Sequence, residues 1–188
     1  MEDGKISISR ASGSFIFPAK FMMVASMNPC PCGFLGDPTH DCICSQSQID
    51  KYLGKISGPL LNRIDIQIEV PPVKYDELKD NRTEESSDDI KKRIVKARNI
   101  QLNRYKDMGI FTNSELSTKG ISKYCKVNKE SELLLKNAFE VLGLSVRAYN
   151  KIFKVARTIA DLENYDNIET KHIAEAIRYR NLDRKYWR

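Results

Sequence analysis

Apolar positions alternate or run together in short stretches before Pro71, and beyond Asp88 they recur every third or fourth residue. The first pattern is that of strands and the second that of amphipathic helices. Ile6-Ser-Ile-Ser alternates, Ser12-Gly13 offers a turn, and Phe15-Ile-Phe17 resumes before Pro18, which predicts a β-hairpin. Phe21-Met-Met-Val-Ala-Ser-Met-Asn28 is an apolar run too short to span a membrane. Ending at Asn28 and Pro29, it suits an interior strand of a parallel sheet. Ile64-Asp-Ile-Gln-Ile-Glu-Val70 alternates strictly, with Ile64, Ile66, Ile68 and Val70 on one face and Pro71-Pro72 ending it. Between these strands, Ser45 to Ile56 has helical spacing: Ile49, Tyr52, Leu53 and Ile56 share a face, and Ser45 or Ser47 can cap it. Gly58-Pro59 then turns the chain.

Residues 80–89 are polar throughout and predict a linker. Past it, Asp88 to Lys106 carries a stripe of Ile90, Ile94, Ala97 and Tyr105 between basic neighbours, and its acidic start suits the helix dipole. Further helices are predicted near 117–124, 129–142, 145–163 and 169–180. In the 145–163 segment Ile152, Phe153, Ala156, Ile159 and Ala160 form the apolar stripe, and Arg147, Lys151, Lys154 and Arg157 are expected to point elsewhere. The predicted architecture is an α/β region over 1–79, a linker, and an all-α domain over 90–188.

Composition changes this picture little: 188 residues, 41% hydrophobic and 30% charged, are ordinary for a soluble globular protein. No segment has the apolar length of a membrane span, and the acidic Met1-Glu-Asp-Gly-Lys start lacks the core of a secretory signal. A cytoplasmic protein with reduced thiols and no membrane partner is expected. Charge adds more, because the net +6 arises entirely beyond residue 80. A basic second half could meet nucleic acid or nucleotide phosphate, or could be a set of solvated helix faces.

Chemistry concentrates after the Phe21 run, in Asn28-Pro-Cys-Pro-Cys-Gly followed by Asp41-Cys-Ile-Cys44. Thiolates of Cys30, Cys32, Cys42 and Cys44 could converge on one tetrahedral Zn²⁺, with His40 as a substitute ligand; free thiols or disulfides are the alternatives. A closed four-cysteine site keeps no open position for a reactant and is therefore structural. Asn28, at the end of a strand, stands where open α/β sheets bind ligands, or else merely starts a turn. Arg63 precedes a strand and can project from a sheet edge toward a neighbouring subunit's phosphate site, or pair with Asp65 or Asp50. Arg147 lies in the first turn of a helix, a good place to meet phosphate oxygens, and a solvated basic face is the alternative. Cys125, alone in a helix, reads as a small core residue.

Three ordered blocks, M-N-P-C-P-C-G-F-L-G-D-P, Y-L-G-K-I-S-G-P-L-L-N-R-I-D-I and G-L-S-V-R-A-Y-N-K-I-F-K-V-A-R-T-I-A-D-L, resemble the magnesium-chelatase-like AAA+ ATPases of the ComM/YifB type. The resemblance implies the later part of a P-loop NTPase α/β core with its pre-sensor hairpin, then a helical lid. By position, Asn28 resembles the first sensor, Arg63 the arginine finger acting in trans, and Arg147 the second sensor; Asn28 and Arg147 would face the ATP γ-phosphate. Lys5 and Arg10, on the hairpin, would approach DNA. The implied cofactors are ATP and Mg²⁺, and the implied partners are DNA and further copies of the same subunit in a ring, a hexamer by expectation. The sequence has no G-x-x-x-x-G-K-[ST] phosphate loop and no apolar strand ending in Asp-Glu. The chain is therefore expected to be a fragment that does not hydrolyse ATP alone. Two other readings stay open: a chelatase-type motor of metal insertion, and a stand-alone zinc-stabilised binding module.

Overall fold

The structure, a computed structural model, describes residues 4–73 and 85–180. It divides into two compact units, Met1–Ile64 and Asp65–Arg188. Residues 80–84 of the expected linker lie outside the described residues, while Glu85 and Ser86 lead directly into a helix.

In the first unit, strands β1 (Lys5–Arg10) and β2 (Gly13–Pro18) pair antiparallel, with Ile6 opposite Phe17 and Ile8 opposite Phe15. Gly13, at φ 144°, makes the tight turn that a side chain would strain. Alternation puts Ile6, Ile8, Phe15 and Phe17 on one face, and all four are exposed. Helix α1 (Gln46–Leu53) starts with a capping box between Ser45 and Gln48 and buries Ile49 and Leu53. The single turn α2 (Gly58–Leu61) is capped by Ser57, has proline in its first turn, and buries Leu61.

The two expected strands at Phe21–Asn28 and Ile64–Val70 are not formed. Both segments lack strand pairing, and β1–β2 is the one sheet among the described residues. A strand exists only through its ladder, so apolar pattern without a neighbour leaves exposed chain. Met22, Val24, Ile68 and Val70 are accordingly exposed. No parallel P-loop sheet is present among the described residues.

The second unit is helical: α3 (Ser87–Arg104), a 3₁₀ turn (Asn113–Glu115), α4 (Thr118–Tyr124), α5 (Lys129–Leu142), α6 (Val146–Leu162) and α7 (Thr170–Arg178). Ser86, Ser117, Asn128 and Ser145 each accept a backbone N–H at a helix start. Helix α5 ends at Gly143 in the left-handed region, φ 55°. Helix α6 is the hub, packed against α3, α4, α7 and the 3₁₀ turn. Its stripe of Ile152, Phe153, Ala156, Ile159 and Ala160 is buried with Tyr105, Leu135, Ile173 and Cys125, the last as expected. The stripe of α3 is buried only at its C-terminal end: Ala97 and Tyr105 are covered, whereas Ile90 and Ile94 stay exposed. No helix among the described residues is long and apolar enough to cross a membrane.

Candidate functional site

The four clustered cysteines are brought together by two short turns. Gly33, at φ 89°, donates its N–H to the Cys30 carbonyl at 3.1 Å and closes the first knuckle. Asp37 then gathers the return: its Oδ1 accepts from the Thr39 N–H and hydroxyl, both at 2.7 Å, and from the His40 N–H at 3.0 Å. Those bonds, the Thr39 hydroxyl first, hold the Asp37 carboxyl below its usual range. The loop thereby returns Cys42 and Cys44 to the first pair.

Cys30 Sγ lies 3.4 Å from Cys32 Sγ and 3.7 Å from Cys42 Sγ, with Cys32 and Cys42 at 3.6 Å. The Sγ atoms of all four cysteines lie within 4.8 Å of one another. Disulfide sulfurs would sit about 2.05 Å apart, and the five cysteines are all free. A tetrahedron with Zn–S bonds of about 2.3 Å has edges of about 3.8 Å, so the observed spacing fits a zinc ion. Cys30 is fully buried and the other three half-buried.

Acidities within the cluster are split. The Phe34 backbone N–H is the largest influence on Cys32, and with the neighbouring thiols it lowers that group to about 6. The Cys44 backbone lowers Cys42, but burial and the sulfurs of Cys32 and Cys30 outweigh it and push Cys42 up to about 12. Burial also raises Cys44. Crowded thiols resist a second negative charge, a cost that a bound divalent cation removes.

His40, the possible substitute ligand, stands outside this cluster of four cysteines. Its ring stacks on Phe34 at 5.0 Å, and its Nδ1 lies 2.9 Å from the Thr39 hydroxyl. Asn28 is exposed at the end of its extended segment, and a Cβ added at Gly33 would lie 3.7 Å from its Nδ2. Only a side chain added at Gly33 would bring the knuckle into van der Waals range of Asn28. Arg63 is half-buried and its Nη1 donates to the Pro59 carbonyl at 3.1 Å, back across its own turn. Arg147 is exposed in the first turn of α6, beside the Ser145 cap. Arg63 belongs to the first unit and Arg147 to the second. Lys5 and Arg10 occupy the two ends of exposed β1.

The basic residues of α6 are not one solvated face. Arg157 is 2% exposed, and its Nη1 and Nη2 cap the Asp166 and Tyr165 carbonyls at 2.7 and 2.5 Å. Its Nε reaches buried Asp161 at 3.1 Å, and Asp161 also receives both guanidinium nitrogens of Arg104 and the Asn113 amide. Lys154 donates to the Ser114 carbonyl at 2.8 Å. Lys151 pairs with Asp65 at 2.8 Å, so the carboxylate considered as a partner for Arg63 is engaged by α6. The four-residue spacing of Arg157 and Asp161 was the available signal for the buried pair.

Two family profiles match. Magnesium chelatase, subunit ChlI, covers residues 1–78, and magnesium chelatase, subunit ChlI C-terminal, covers residues 84–180. The competence protein ComM of Haemophilus influenzae is 42% identical over 185 residues, 98% of this chain and 35% of that protein. The uncharacterized protein YifB of Salmonella typhimurium is 37% identical over 186 residues, again 98% of this chain and 35% of the relative. The chain therefore spans about a third of the length of these relatives.

Proposed function

Because this chain belongs to the magnesium-chelatase-like AAA+ family of ComM and YifB, we propose that it forms part of a DNA-remodelling motor that binds and hydrolyses ATP. In the intact protein, water attacks the γ-phosphorus and the bond to the departing nucleoside diphosphate breaks. Asn28 orients the reacting groups, Arg147 meets the γ-phosphate in cis, and Arg63 neutralises developing charge on a neighbouring subunit's nucleotide. That division of labour requires a ring of identical subunits, a hexamer in this reading. Mg²⁺ accompanies the nucleotide, and no residue of this chain is assigned to hold it.

The observation that supports this reading most is the local setting of the three polar candidates. Asn28 ends an apolar segment, Arg63 follows a capped turn, and Arg147 opens a capped helix with its side chain exposed. Lacking a G-x-x-x-x-G-K-[ST] run, the chain by itself is proposed to be inactive. DNA would meet the hairpin at Lys5 and Arg10.

The decisive experiment is Arg63→Ala in the intact protein. Losing an arginine finger costs roughly 10³-fold or more in turnover, and hydrolysis that survives nearly intact refutes the assignment. Binding to duplex and single-stranded DNA should weaken steeply with salt. Absence of such binding would favour the chelatase-type motor instead.

Zinc is assigned a bracing role. Cys30, Cys32, Cys42 and Cys44 would hold it, fixing the segment between Asn28 and α1 without touching the reaction. Elemental analysis of protein purified under reducing conditions should find about one zinc per chain. Cys42→Ser together with Cys44→Ser should abolish that zinc; an unchanged content would refute the ligand set.

A further inference from the structure

We propose that the Asp65–Lys151 ion pair is a positioning contact that sets the reach of Arg63. The proposal rests on the reading of Arg63 as the group acting in trans.

The geometry begins with an asymmetry. Lys151 Nζ lies 2.8 Å from Asp65 Oδ1, yet the lysine side chain is 11% exposed and the aspartate side chain 61%. An ammonium so enclosed needs an anion at its end, and here the anion comes from a bend outside any helix. The segment is pinned again two residues on, where the Gln67 N–H donates to the Tyr179 carbonyl at 3.0 Å, at the C-terminal cap of α7. Asp65 and Gln67 lie two residues apart in one stretch outside any helix, so the two anchors hold it at two nearby points.

Arg63 immediately precedes this pinned stretch. Two residues of extended chain span about 7 Å, which bounds how far the Arg63 backbone can stray from the Asp65 anchor. Upstream, its guanidinium bonds the Pro59 carbonyl at 3.1 Å. On the other side of the pair, Lys151 lies one turn beyond Arg147 on α6. The same helix therefore carries Arg147 and, one turn on, the lysine that anchors Asp65.

A purely structural pair would register its loss in unfolding, where an enclosed ammonium without its anion is costly, and not selectively in turnover. A contact that aims a transition-state group has a different signature. Misplacing such a group by about 1 Å costs up to roughly 10²-fold in rate, and the loss falls on kcat rather than on KM.

The test uses the intact protein with ATP in the variants Lys151→Met, Asp65→Asn, both together, Lys151→Arg, and Arg63→Ala as reference. Expected are a kcat lower by roughly ten- to a hundredfold in each single variant with KM for ATP unchanged, a double variant no worse than either single, and near-normal turnover in Lys151→Arg. Amide exchange over residues 64–67 should also quicken by about tenfold in Asp65→Asn, an exposed site where misfolding is not in question. Unchanged kcat in both singles overturns the proposal, as does a raised KM with intact kcat, which would mean that the pair serves nucleotide binding. If Arg63→Ala itself keeps full turnover, the reading of Arg63 fails and the proposal falls with it. If Arg63→Ala is inactive while Lys151→Met and Asp65→Asn are normal, only the positioning contact is wrong.

Discussion

Asp161 shows how much a single side chain can organise. Fully enclosed, it receives Arg104 at 2.8 and 2.5 Å, Arg157 at 3.1 Å and Asn113 at 2.8 Å, joining α3, α6 and the 3₁₀ turn. Burial lowers Arg157, whereas the Asp161 carboxylate more than offsets burial at Arg104 and raises it. Asp161→Ala would leave two guanidinium groups facing a low-dielectric interior, and a loss of about 3–5 kcal/mol is expected in denaturant unfolding. Glu163 gives a pH-dependent counterpart. A hydrogen bond from Lys171, then burial and His172, leave its carboxyl net lowered below the ordinary 4.5. A lowered folded-state value means the contribution is complete above 4.5 and fades as pH falls through the folded value. The stability gap between wild type and Glu163→Gln should therefore be present at neutral pH and close in acid. Residue roles were only partly legible: the Arg157 position sits off the apolar stripe, and spacing alone does not reveal that loop carbonyls of Tyr165 and Asp166 fold over it.

Helices were readable because their instructions are local. Ser145 caps α6 through the Ala148 N–H, Gly143 closes α5, and the intervening stripe is continuous, all within a few residues of one another. Ser145→Ala should cost about 1 kcal/mol and fray the turn that carries Arg147. Gly143→Ala, forced into a left-handed conformation, should cost about 1–2 kcal/mol. Thermal unfolding monitored by circular dichroism checks both. The strands expected at Phe21–Asn28 and Ile64–Val70 failed for the opposite reason: a ladder partner is non-local, and no periodicity reports whether one is at hand. The exposed first half of α3 is the same lesson in a helix, since Ile90 and Ile94 have the pattern of a buried stripe and no covering surface among the described residues.

For the whole molecule, the two units differ in self-sufficiency. The helical unit has a closed core around α6, whereas the first unit exposes Ile6, Phe15, Phe17, Phe21, Met22 and Val24. An isolated two-stranded hairpin with a bare apolar face is marginal in water and prone to pair with other copies. The chain alone should therefore associate with rising concentration in sedimentation velocity, and Phe15→Ser with Phe17→Ser should reduce it. The cysteine cluster was legible from spacing, while the turns at Gly33 and Asp37 that close it required the fold.

The bond from Gln67 to the Tyr179 carbonyl joins positions more than a hundred residues apart in the chain. Closing so long a loop is entropically slow, whereas the α6–α7 contacts form between near neighbours in sequence. The helical unit should thus acquire its core first and recruit the extended segment afterwards. In pulse-labelled refolding, the Gln67 amide is expected to gain protection later than the amides of α6.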